Sequence, residues 1–215
     1  MSEKRESCIF GRESLQHAFG KLSLHEHLCL LYETPEEQAE AVIPFLQAGL
    51  EKGEKCLYVA DDAALPDILE AFRRGGIDTE QALASGRLTV VSKHAVYLEN
   101  GRFDPDSVVR SLEKAVETAK ADGFPALRVA AEMTWVLGGE AGTERLMEYE
   151  AKLNNHLPHL ALTGLCQYRR SRFSPEIVRD VVYTHPLVVH KGRVLRNFHY
   201  IPPEEFLKPD PAQEV

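Results

Sequence analysis

The chain has 215 residues, 44% hydrophobic and 27% charged, the composition of an ordinary globular domain with enough apolar material for a sizeable core. Its 25 Lys and Arg against 33 Asp and Glu give a formal charge of -8, which argues against direct nucleic-acid binding, because neutralising phosphates needs a basic face. Apolar runs reach about 5–8 residues, far short of the roughly 20 that cross a bilayer, and no apolar segment follows Met1-Ser2-Glu3-Lys4-Arg5-Glu6 as in a secretory signal; a cytoplasmic protein with no membrane partner is expected.

Residues 1–24 are weakly patterned and read as an N-terminal extension. Leu28–Tyr32 is a short apolar run, the form of a strand buried on both faces. Thr34-Pro35-Glu36-Glu37 then opens a helix: Thr34 caps, Pro35 suits the first position and Glu37 closes a capping box. Ala39, Val42, Ile43, Leu46 and Leu50 recur at helical spacing up to Gly53. Cys56–Ala60 is a second strand, and Leu65, Ile68, Leu69 and Phe72 a second helical stripe closed by Gly75-Gly76. Leu88–Val91 is a third strand, followed by a helix from Asp104-Pro105 to Gly123. Leu127–Ala131 is a fourth strand, Gly142–His156 a helix, and Ala161–Cys166 a fifth strand. A short helix from Ser174-Pro175 to His185-Pro186 precedes a terminal β-hairpin built on Leu187–Val189, Lys191-Gly192 and Arg193–Phe198. The Pro- and Glu-rich segment 203–215 reads as a flexible tail.

Alternating strands and helices predict an α/β fold: three αβα layers around a mainly parallel sheet of five or more strands, plus the C-terminal β-hairpin. Ligands in such folds sit beyond the carboxyl ends of the strands. There the sequence places Tyr32 and Glu33, Asp61 and Asp62, Ser92 to His94, Glu132 to Trp135, and Gln167 to Arg170. Some of these polar groups are turn and capping residues; together they are the default ligand edge.

The chemistry this edge supports is limited. A phosphate-binding loop needs glycines and a Lys between strand and helix, so that backbone amides cradle the anion. Glu33-Thr34-Pro35-Glu36-Glu37-Gln38 has no glycine, three carboxylates and a proline without an amide, so ATP hydrolysis is not expected. Gly20-Lys21-Leu22-Ser23 lies before the first strand, and Gly138–Thr143 carries Glu140 in its middle and reads as a flexible turn. No catalytic constellation is recognisable, so an enzyme is not expected.

The four cysteines, Cys8, Cys29, Cys56 and Cys166, form no CxxC pair. They read either as small core residues or as pocket-lining ligands. Nine histidines include His25-x-His27, His156-x-x-His159, His185, His190 and His199. They are surface and capping groups, or with Cys29 and Cys166 they assemble an N/S metal or haem-type site; no cofactor is identified. Glu132 beside Trp135, the only tryptophan, suits a small, partly apolar ligand, unless Trp135 merely packs under the next helix.

Several motifs in order resemble the MEDS domain, the sensory domain named for methanogens, methylotrophs and a dichloromethane-responsive regulator. They begin with His27–Thr34, Glu37-Gln38, Pro44-Phe45-Leu46, Gly49–Glu54 and Ser85–Leu88. They continue through Phe103-Asp104-Pro105, Glu132–Trp135, Glu148-Tyr149-Glu150 and Leu153-Asn154, and close with Leu165–Tyr168, Arg172-Phe173, His185-Pro186 and Asn197. The likeness covers about residues 25–200, within a domain spanning 25–202. It implies a RecA/KaiC-like P-loop relative without the phosphate loop, and a signalling role in sensing a small molecule such as a simple hydrocarbon derivative. In the family the domain is often joined to a kinase or a DNA-binding helix-turn-helix, neither of which follows residue 200 here. A standalone sensor is therefore expected, acting through a separate signalling partner or as a homo-oligomer. Its expected ligand residues are His27, Tyr32, Glu33, Asp61, Glu132, Trp135, Cys166 and Tyr168. The competing reading is a metal- or haem-dependent redox sensor or enzyme using His and Cys ligands.

Overall fold

A computed structural model describes residues 12–60, 65–98 and 101–208. Cys8, Asp61 and Asp62 lie outside the described residues. The first half comprises α1 (Arg12–Gly20), β1 (His27–Tyr32), α2 (Pro35–Glu51), β2 (Lys55–Ala60), α3 (Leu65–Arg74), α4 (Thr79–Ala84), β3 (Leu88–Ser92) and α5 (Lys93–Val96). The second comprises α6 (Pro105–Ala121), β4 (Leu127–Glu132), α7 (Leu146–His156), β5 (Leu162–Arg169), α8 (Pro175–Thr184), β6 (Leu187–His190), β7 (Arg193–Arg196) and α9 (Pro203–Phe206). Among the described residues, no helix is long and apolar enough to cross a membrane.

The expected α/β architecture is observed. The sheet has seven strands in the order β3-β2-β4-β5-β1-β6-β7. Every neighbouring pair is parallel except β6 with β7, the C-terminal hairpin. Because successive strand residues alternate faces, two cores form. One holds Leu28, Leu30 and Tyr32 of β1 with α1, α2 and Phe72 of α3. The other holds Cys29 of β1 and Cys166 and Tyr168 of β5 with α6, α7 and Val181 of α8.

Local chemistry explains the entry to α2. Thr34 is extended, and its side chain accepts the Glu37 amide at 3.3 Å. The Glu37 carboxylate reaches back to the Glu33 amide at 2.8 Å, one residue earlier than in a standard capping box. The helix then runs through Pro44, which removes an intrahelical hydrogen bond. An interior proline costs about 3 kcal/mol, whereas each buried Val, Ile, Leu or Phe side chain contributes about 1.5–3 kcal/mol. Burial of Val42, Ile43, Phe45 and Leu46 around it therefore outweighs the break.

Two features differ from the reading of the sequence. Arg12–Gly20, in the weakly patterned segment, is a helix whose Leu15 and Phe19 enter the core; the Phe19 ring meets Phe45 edge to face at 5.3 Å. Two apolar residues one turn apart are too short a stripe to announce a helix. Strand β5 continues to Arg169 rather than ending at Cys166, so Gln167 and Tyr168 are buried inside the sheet. There Gln167 Oε1 accepts from Gln38 and the Tyr168 hydroxyl donates to Glu150, which offsets part of the cost of burying them.

Candidate functional site

On the α2 face, the carboxyl ends of β1, β2 and β4 open into a cleft of about 430 Å³. Its lining includes Tyr32, Gln38, Tyr58, Phe72, Glu132 and Arg169, with apolar walls from Val42, Ile68 and Ala71. At its floor the Tyr32 hydroxyl donates to Glu132 Oε1 at 3.2 Å. The backbone turn after β4 holds the same carboxylate: the Thr134 amide donates to Oε1 at 3.0 Å and the Thr134 hydroxyl to Oε2 at 2.7 Å. Gln38 of α2 donates to Gln167 Oε1 at 2.8 Å, and the Tyr58 hydroxyl approaches the same oxygen at 3.4 Å. Gln167 Nε2 is buried without a hydrogen-bond partner. Burial and the nearby Glu132 carboxylate raise both the Tyr32 and the Tyr58 phenol above their ordinary value, so both stay protonated.

On the opposite face, four side chains from four segments converge. His27 begins β1, Glu150 lies in α7, Cys166 in β5, and His185 follows α8. All four are buried. Glu150 Oε2 is 3.3 Å from His27 Nε2, 3.5 Å from His185 Nε2 and 3.6 Å from Cys166 Sγ. Cys166 Sγ is 3.5 Å from His27 Nε2. The Tyr168 hydroxyl donates to Glu150 Oε1. Burial alone would raise the Glu150 carboxyl, but His185 and His27 hold it below the usual carboxylate range. Burial and His185 lower His27. This pocket has the donor atoms of a metal centre.

The expected ligand residues therefore fall in separate places. Tyr32 and Glu132 meet in the cleft. His27, Cys166 and Tyr168 meet across the sheet from it. Glu33 does not line the cleft but a separate pocket beside β1 and β6, its carboxylate paired with Arg170 at 2.5 Å. Trp135 is carried by a 3-10 turn into the second core, where its ring stacks on Tyr97 at 4.7 Å and packs against Phe103. It lines the core, not the cleft, and Asp61 lies outside the described residues.

Glu150 was not expected at a site, and His185 was expected only in the alternative N/S metal reading, not among the ligand residues. Glu150 had a visible signal, a carboxylate within the apolar stripe Leu146, Tyr149, Leu153. His185 read as a helix terminator, and only the docking of α8 brings it inside. Gln38 and Arg172 also line the cleft and had no distinctive spacing, whereas Arg169 belongs to the strand-end set placed at the ligand edge from the sequence.

Comparison with known proteins places these features in a lineage. A curated relative, the transcriptional repressor DcmR of Methylorubrum extorquens (strain DSM 6343 / CIP 106787 / DM4), is 27% identical over 182 residues, 84% of this chain. The chain spans 66% of that relative's length, just under two thirds. A KaiC-like protein from the hyperthermophilic archaeon Pyrococcus horikoshii OT3 superposes with a TM-score of 0.51 at 18% identity, over 78% of this chain and 71% of that one. An uncharacterized protein from Pyrococcus horikoshii, solved with an unknown peptide, superposes with a TM-score of 0.63 at 16% identity, over 85% of this chain and 86% of that one. The fold is thus KaiC-like. The profile of the methanogen/methylotroph, DcmR sensory domain matches residues 26–186, and the chain belongs to this MEDS family.

Proposed function

We propose that the chain is a signal-transduction sensor that binds a small molecule in the cleft at the strand ends and does not hydrolyse ATP. The observation that carries this reading is the Tyr32–Glu132 pair, fixed by Thr134 at the floor of a cleft of about 430 Å³ with an apolar wall. Volumes of roughly 300–1,000 Å³ with few polar groups are typical of small-molecule sites. The lining carries Arg169 and Arg172 together with Asp67 and Glu132, so a ligand with an apolar body and one polar end fits best, as a simple hydrocarbon derivative would.

The entry to α2 supports the exclusion of triphosphate. In a phosphate loop the first amides of the helix are open to the anion. Here the Glu37 amide is taken by Thr34, the Glu33 amide by the Glu37 carboxylate, and Pro35 has none. Signal output would pass to a separate protein or to a second copy of the chain, through the Gly138–Thr143 loop or the β6–β7 hairpin.

The test is a thermal-shift panel of short-chain alcohols, amines, carboxylates and halides, with ATP–magnesium as a separate arm. At least one class should stabilise the wild type saturably, and Tyr32→Phe and Glu132→Gln should each weaken that shift. No shift with any class, or a shift unchanged in both variants, would refute the cleft as the site; stabilisation by ATP–magnesium would refute the exclusion of nucleotide.

A further inference from the structure

We propose that His27, Glu150, Cys166 and His185 form a four-coordinate site for one divalent transition-metal ion of the zinc class. Four observations converge on it, and all lie across the sheet from the cleft, so the inference stands apart from the sensing reading.

The first is size. A tetrahedral ion with N, O and S ligands at about 2.0–2.3 Å has ligand–ligand edges of roughly 3.3–3.7 Å. Four of the six edges are 3.3, 3.5, 3.5 and 3.6 Å, and all four ligand atoms lie within 4.8 Å of one another. A cluster this tight encloses an ion rather than a macrocycle.

The second is the direction of the imidazole lone pairs. His185 Nδ1 lies 2.7 Å from the Val181 carbonyl oxygen, which only accepts, so Nδ1 carries the proton. His27 Nδ1 lies 3.0 Å from Asn154 Oδ1. The Asn154 amide is oriented by donating to the Glu150 carbonyl at 3.0 Å and the Thr184 carbonyl at 2.7 Å, so its oxygen faces His27 and accepts. With Nδ1–H turned outward on both rings, each ring directs Nε2 inward, and in the neutral form a metal needs, that Nε2 carries a lone pair. Outward N–H groups tied to fixed acceptors are the arrangement that orients histidine ligands on a metal.

The third is the lack of enough protons. With both rings neutral, two Nε2 lone pairs and a carboxylate oxygen face one another, and the Cys166 thiol brings only one hydrogen. His185 Nε2 is fully buried and makes no hydrogen bond. Tyr168 occupies Glu150 Oε1, which leaves Oε2 turned to the cluster. A single cation at the centre satisfies all four groups.

The fourth is charge. A divalent ion, one carboxylate, one thiolate and two neutral imidazoles sum to zero, the balance a buried site requires. Binding releases the Cys166 proton to solvent, with no change of oxidation state. Thiolate and imidazole ligands favour zinc over calcium or magnesium, which take oxygen ligands. The ion would tie β1, α7, β5 and the α8–β6 junction together, anchoring the C-terminal hairpin to the sheet.

The test uses the full chain, expressed without a histidine tag, stripped with a chelator and titrated with Co²⁺. The expected result is a one-to-one end point with tetrahedral d–d bands in the visible and a thiolate charge-transfer band in the near ultraviolet. Cys166→Ser should lose the charge-transfer band, and Cys56→Ser, on the other face, should keep it. Asn154→Ala, which frees the His27 ring without removing a ligand, should bind about 10–100-fold more weakly. Zn²⁺ should displace Co²⁺ and raise the melting temperature of the stripped protein. Absence of saturable binding, an octahedral spectrum without a charge-transfer band, or a band that survives Cys166→Ser would overturn the proposal. Should Cys166→Ser fail to fold, the wild-type spectrum and the Asn154→Ala titration decide it.

Discussion

Cys166 and Gln167 are consecutive residues of β5 whose side chains serve opposite faces of the sheet. Cys166 meets His27 and Glu150 beneath α7, while Gln167 meets Gln38 and Tyr58 beneath α2. The alternation of a strand thus sets a candidate ligand cleft and a candidate metal centre back to back, one residue apart. Each side should respond to mutation separately. Tyr32→Phe, in the cleft, removes one hydrogen bond and should cost about 0.5–1.5 kcal/mol in denaturant unfolding while leaving the Co²⁺ spectrum unchanged. A changed spectrum would show that the two faces are not independent.

The Arg128–Glu54 pair should be essential to stability. Arg128 is fully buried beneath α2, its Nε 2.6 Å from Glu54 and its guanidinium 4.7 Å over the Phe45 ring. Glu54→Ala strands a buried charge and should lose about 3–5 kcal/mol by urea denaturation. Removing both charges with Glu54→Leu and Arg128→Met should recover much of that loss, because the penalty comes from the unpaired ion rather than from the absence of a bridge. A double variant as unstable as the single one would contradict this reading.

Gly142 should resist substitution. Its φ is +93°, and a Cβ would come within 2.1 Å of the Phe103 carbonyl oxygen. The approach is enforced because the Phe103 amide donates to the Ala141 carbonyl at 2.8 Å. Gly86 has a φ of +70° but open space around its Cβ position. Gly86→Ala should therefore show only backbone strain, about 1–3 kcal/mol, and Gly142→Ala a larger loss in melting experiments. Equal losses would mean the loop shifts away from Phe103 freely.

Alkaline pH should unfold the protein through its buried phenols. Burial raises Tyr58, Tyr97, Tyr149 and Tyr168, and burial with Glu132 raises Tyr32. A group whose folded pKa lies above its unfolded value of about 10 keeps its full stabilising contribution below that pH. Stability should therefore be lost as pH climbs above about 10. In an absorbance titration these five of the seven tyrosines should ionise together with the loss of circular dichroism. Ionisation of all seven before unfolding would contradict the packing described.

Thiol reactivity should follow unfolding as well. Cys29, Cys56 and Cys166 are free and buried, and burial pushes the Cys56 thiol up to about 12. In a Cys8→Ser background the native protein should react with an aromatic disulfide reagent only at its rate of opening, and fully in denaturant. A fast stoichiometric reaction under native conditions would show an accessible thiol.

The periodicities of the chain determined most of the architecture. Short apolar runs gave strands such as Leu28–Tyr32, capping residues such as Thr34 gave helix starts, and their alternation gave a parallel sheet with a terminal hairpin. The same local reading gave the expectation that the segment from Glu33 to Gln38, with no glycine and three carboxylates, does not hold a phosphate. What it left open was which side chains meet. Tyr32 with Glu132 is separated by 100 residues and Cys166 with His27 by 139, and no local rule relates such positions. Strand order decides those pairs: β5 lies between β1 and β4, which puts Cys29 opposite Cys166 and Glu132 opposite Gln167. Helix docking decides the rest. The burial of His185 became visible only when α8 covered one face, because desolvation is a property of the packed layers and not of any residue in isolation.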